Sequence, residues 1–129
     1  MNAGIDDTRA DYIGQIQDLV MNVNPQVDPF LHHLPQLLIQ PQFSNIDPKK
    51  ALAFAKIALH PERPPIVADA RKILNLLINP YDGSLITPGP DIFYENQSFF
   101  WKQLGGRREP IDIILHVLNK TLFVTSVGQ

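Results

Sequence analysis

The chain has no cysteine among its 129 residues. Disulfides, thiolate metal sites and cysteine nucleophiles are excluded with it. Charge is scarce as well: Asp, Glu, Lys and Arg make up 19%, and the formal net charge is −2. So weak a field points to neither nucleic acid nor an acidic membrane as partner. Apolar runs are short, and none nears the ~20 residues of a membrane span. The first ten residues carry acids where a secretion signal has a basic and then apolar stretch. A cytoplasmic or nuclear setting is therefore expected. The glycosylation-type triplets at Asn96 and Asn119 read as chance matches.

What is present suits one globular domain spanning residues 1–129. Hydrophobic residues make up 44%, and a chain of this size buries roughly two-thirds of its unfolded surface without a staple. Twelve prolines stand out. They fall between apolar runs, so they read as element boundaries and not as a polyproline ligand.

Tyr12, Ile13, Ile16, Leu19 and Val20 share one helical face, which predicts a helix over residues 7–23. Asp6 or Asp7 is its expected cap, and Asn24-Pro25 its stop. A second helix is expected over residues 28–39, opened by Pro29 and kinked or split by Pro35. Asp47-Pro48 predicts the start of a third, ending at His60-Pro61. Residues 60–65 form a rigid connector, and a fourth helix follows over residues 66–78. Turn signals crowd residues 81–90. Beyond them the pattern predicts a short strand at residues 91–94 and an aromatic-rich helix at 96–104. A helix over residues 109–118, capped by Asn119, is then followed by a second strand at residues 122–124.

Catalytic chemistry finds no support in the motifs. His32 and His33 are expected to point to different sides of a helix, so they cannot jointly grip a metal as an i, i+4 pair does. Gly105-Gly106 lacks the Lys-Ser/Thr of a phosphate loop. Ser44, Ser84 and Ser98 sit in no nucleophile elbow. No enzymatic activity, cofactor or metal is expected, and Lys102, Arg107 and Arg108 read as a solvated helix end.

One constellation carries more. Asn75 precedes Asn79-Pro80 at the end of a helix. A loop follows, then Asn96 and Phe99, an amphipathic helix and a closing apolar segment. This order resembles the PUB domain family, found in peptide:N-glycanase and in subunits of ubiquitin-processing assemblies. The resemblance implies a mostly α fold with a small β element. Its PUB-like part would span residues 45–127, with residues 1–44 as a helical extension. It implies a module that recognises a short peptide or C-terminal tail, typically that of the valosin-containing AAA ATPase, in a ubiquitin-linked pathway. Asn75 and Asn96 would then hold peptide backbone, because an amide offers both donor and acceptor. Lys72 would pair with a carboxylate, Tyr94 would form a rim contact and Phe99 the pocket floor. The chain departs from the family pattern at Lys72, where an aromatic is usual, at Glu95, and at Asn119 in place of glycine.

A different class of reading treats the chain as a structural helical subunit of a larger assembly. Leu31, Leu34, Leu37, Leu38 and Ile39 give the second helix an apolar content that suits a partner interface. Asn75 and Asn96 also have plain structural readings as caps of nearby backbone. Replacing Asn96 with Ala separates its two roles. Lost tail binding at an unchanged melting temperature marks recognition, whereas a large fall in melting temperature marks a cap.

Overall fold

The computed structural model describes residues 3–89, 100, 102–104 and 106–127. Five helices lie among them: α1 (Ala3–Val20), α2 (Pro29–Ile39), α3 (Pro48–Ala58), α4 (Pro65–Leu76) and α5 (Pro110–Val127). Short 3-10 turns occupy Pro41–Phe43 and Lys102–Leu104. All helices but α1 open on a proline. Proline suits this position because its fixed φ is already helical and the amide hydrogen it lacks has no partner there. Asp47 completes the start of α3 by accepting from the Lys49 amide at 2.9 Å.

The third helix is the hub. It packs against α1, α4 and α5, while α2 packs against α1 and α4. Its Ala51, Leu52, Phe54, Ala55 and Ala58 are buried, and Phe54 meets the Phe30 ring edge-on at 6.3 Å between centroids. Core residues come from α1 (Ile16, Val20), from α2, and from α5 (Ile113, Ile114, Val117, Leu118) in one cluster. Residues 1–44 therefore contribute to the same core as the rest.

Polar side chains from distant segments cap the helix ends. Asp28 makes no side-chain cap for its own helix, α2. Asn75 of α4 does so instead, its Oδ1 accepting from the Phe30 amide at 3.0 Å. The Asn75 amide nitrogen donates to Asp28 Oδ1 at 3.0 Å. Arg71, one turn earlier in α4, forms an ion pair with Asp28 through Nη2 and Oδ2. It also donates from Nε to Asp28 Oδ1 and from Nη1 to the Ala58 carbonyl at the end of α3. Arg9 plays a similar part in α1, donating to the carbonyls of Leu38, Phe43 and Ile46.

Several expectations are corrected. Among the described residues there is no strand, only an isolated bridge between Ile78 and Leu85. The strand expected at residues 122–124 is helix, since α5 runs on to Val127. Burial explains this: Val117, Leu118 and Thr121 are buried and Leu122 is half-buried, which continues the three- and four-residue spacing past Leu118. Core packing outweighs the β preference of a Leu-Phe-Val run. Asn119 accordingly lies inside α5 and ends nothing; its side chain accepts from Lys50 Nζ at 3.0 Å. The strand expected at residues 91–94 lies outside the described residues, as does most of the helix expected at 96–104.

Pro35 does not split α2. A proline inside a helix costs about 3 kcal/mol. Burying each of Leu31, Leu34, Leu37 and Leu38 returns about 1.5–3 kcal/mol, so continuity wins. These leucines are consumed by the chain's own core, and Ile39 alone of the five named earlier stays exposed. Asp6 and Asp7 fall within α1, which begins at Ala3 and not at either acid.

The Asp28 and Arg71 side chains are 8% and 16% exposed, so each charge is largely withdrawn from water. Removing one partner of such a pair costs about 3–5 kcal/mol, because the other charge is left behind. Asp28→Ala is expected to lower the urea unfolding free energy by about 3 kcal/mol. Arg71→Met combined with Asp28→Ala should recover part of that loss. A single variant that unfolds like the parent would remove the pair from the stability of the fold.

Candidate functional site

Of the five residues expected to bind peptide, two lie among the described residues. Lys72 is exposed on α4. Asn75, one turn further, is half-buried and directed inward, with its amide engaged by Phe30 and Asp28 as described. Its observed contacts are those of a cap. Tyr94, Asn96 and Phe99 lie outside the described residues.

The segment after α4 is a tight loop. Its backbone closes through Gly83 N–H to Asn79 O at 2.8 Å, Asn79 N–H to Ser84 O at 2.8 Å and Ile86 N–H to Leu77 O at 2.7 Å. The Asp82 carboxylate accepts from both the amide and the hydroxyl of Ser84, and these bonds hold its pKa below the usual value. Gly83 has φ +75°, and a Cβ there would fall 2.8 Å from His33 Nδ1, so both geometry and space require glycine.

The histidine pair is structural. His33 Nε2 donates to the Pro80 carbonyl at 3.0 Å, and His32 Nδ1 donates to the Val23 carbonyl at 2.9 Å. The two rings meet edge-on at 4.8 Å, closer than opposite sides of a helix imply, yet each holds a different loop. Among the described residues no cluster of three His, Asp or Glu side chains is placed to hold a metal, and no helix is long and apolar enough to cross a membrane.

Two concavities lie elsewhere among the described residues. One hollow of about 600 Å³ is lined by Ile57, Pro64, Ile66 and Val124, with Lys56, His60, Glu62 and Arg63 at its rim. A second, of about 550 Å³, lies toward the start of α3, against Lys49, Lys50, Ala53 and Leu122. Ile57 and Thr125 line both, so the two hollows meet and form one trough along α3. The fold dictates this surface. Lys49, Ala53, Lys56 and His60 repeat at three and four residues along the side of α3 that the core does not take. The proline-rich connector then turns the chain so that Pro64 and Ile66 form the far wall. The connector at residues 60–65 was readable from the sequence, and Ile57 is half-buried, packed against the core as well as lining the trough. The helical continuation of α5, which brings Leu122, Val124 and Thr125 to the trough, was obscured by their β-branched and apolar character.

Polar groups at the rim are preset. The Glu62 amide donates to His60 Nδ1 at 3.1 Å, which places the ring proton of the neutral imidazole on Nε2. Arg63 is tethered by a bond from Nη1 to the His60 carbonyl at 3.4 Å. Together the two hollows carry four Lys and Arg side chains against two carboxylates, Asp47 and Glu62. That excess of positive charge stands in a chain whose formal net charge is −2.

His116 sits on α5, half-buried, and its Nε2 has no hydrogen-bond partner among the described residues. Burial, then the charges of Arg107 and Lys120, lowers its pKa from the ordinary 6.5. The folded chain thus binds this proton less readily than the unfolded chain. The group takes nothing from stability above 6.5 and does so increasingly as pH falls through that value toward the lowered one. His116→Gln is expected to flatten the decline of the urea midpoint between about pH 7 and pH 5. An unchanged decline would mean that the proton enters without cost. Comparison with family models, with curated proteins and with solved structures found no match to this chain.

Proposed function

We propose that the chain is a protein–protein interaction module without catalytic activity, and that its recognition surface is the trough along α3. The observation that carries this reading is the pairing of an apolar floor (Ile57, Pro64, Ile66, Val124) with a rim of Lys56, His60 and Arg63. Such a surface gives a peptide what binding needs: apolar area to remove from water, and directional polar groups at the edge to fix register. Recognition of a peptide tail is the role implied by the likeness to PUB domains. The trough supports that role at a surface other than the one around Asn75, whose amide is committed to holding α2.

The C-terminal tail of the valosin-containing AAA ATPase is the first ligand to test, by titration into isotope-labelled protein followed by NMR. Amides of Ile57, Ile66, Val124 and Thr125 are expected to shift and saturate, and Ile57→Asp to abolish the effect. Shifts confined to Lys72 and Asn75 would return the recognition surface to α4. No shift anywhere would remove this tail as a ligand.

A further inference from the structure

We infer that the occupant of the trough is an acidic amphipathic helix, an inference that rests on the trough being the recognition surface. The first ground is backbone chemistry. An extended peptide leaves its N–H and C=O groups unpaired unless a strand edge receives them. Among the described residues no strand borders the trough, and the isolated bridge at Ile78 and Leu85 lies outside its lining. The walls are side chains of α3, α4 and α5 together with the connector residues His60, Glu62, Arg63 and Pro64, and none of these presents a strand edge. A helical segment arrives with its backbone already satisfied and asks only for side-chain contacts.

The second ground is shape. The trough follows α3, whose 11 residues extend about 16 Å. That length matches about three turns of a second helix. Ala53 stands midway between the two lysines of the exposed stripe, and a small side chain there lets another helix approach closely. Ile57 and Thr125 line both hollows, at the middle of the trough.

The third ground is charge. Lys49 and Lys56 stand two turns apart on the same stripe, about 10 Å, and Arg63 continues the positive rim beyond the end of α3. The His60 Nε2–H adds a neutral donor, by the tautomer that the Glu62 amide imposes. Asp47, whose Oδ1 accepts from the Lys49 amide, and Glu62 are the opposing carboxylates, outnumbered by the four Lys and Arg side chains. A partner helix with carboxylates spaced by two turns, flanking an apolar stripe at three- and four-residue spacing, meets both charge and floor.

Selection from a displayed library of random peptides of about 16 residues, long enough to match α3, tests this against the full chain. Binders whose affinity falls about tenfold or more with Ile57→Asp are expected. They should show apolar residues at helical spacing and an excess of Asp and Glu. A proline placed mid-peptide should abolish their binding. Lys56→Glu with Arg63→Glu, both at exposed positions, should weaken them by a similar factor, and should leave the melting temperature unchanged. Trough-dependent binders that lack helical spacing, or that are basic, would overturn the helix while leaving the trough as the recognition surface. A library that yields no binder sensitive to Ile57→Asp would overturn both.

Discussion

The fold depends on one polar joint, where Arg71 and Asn75 of α4 meet Asp28 at the head of α2. Asp28 opens α2 without capping it, so the helix borrows its cap from Asn75. Arg71 then links the same carboxylate to the last turn of α3 through the Ala58 carbonyl. Two helix ends, the start of α2 and the end of α3, are fixed by two side chains one turn apart. Hydrophobic burial alone tolerates sliding between helices, whereas five directed bonds admit one arrangement. An incomplete set would leave a charge buried without a partner, a cost of several kcal/mol.

Arg9 and the two histidines extend the same logic. Arg9 reaches the last turn of α2 through the Leu38 carbonyl, while His32 and His33 each tie a loop carbonyl, of Val23 and of Pro80, back to α2. The abundance of proline explains the need. Opening a helix on proline removes one unsatisfied donor and presets φ, but the remaining free amides and the carbonyls at the far end still need partners. Here those partners come from tertiary structure.

That division sets how much was legible in the sequence. Helix starts were readable because Pro29, Pro48 and Pro110 announce them locally, and Asp47 behaves as its position before a proline implies. The end of α5 was not. Thr121 to Val124 carry a local β preference, and only their register against α3 decides for helix. Asn75 stood out in the sequence as an amide among apolar helix residues, yet its bonding partners, Phe30 and Asp28, lie more than forty residues away. Nothing local distinguishes an inward cap from an outward contact. The trough escaped for a similar reason, since its walls come from α3, the connector, α4 and the last turns of α5, which no single window of sequence contains.

The first two helices are bound into this arrangement from within. Arg9 closes the turn that leads into α3, and Asp28 is the counter-ion of a cation rooted in α4. A piece excised from residue 45 onward would inherit the trough but strand Arg71 without its acid and bare the side of α3 that α1 covers. The smallest portable unit is therefore larger than that piece, and any graft, fusion or domain swap that aims to carry this surface must carry all five described helices with it.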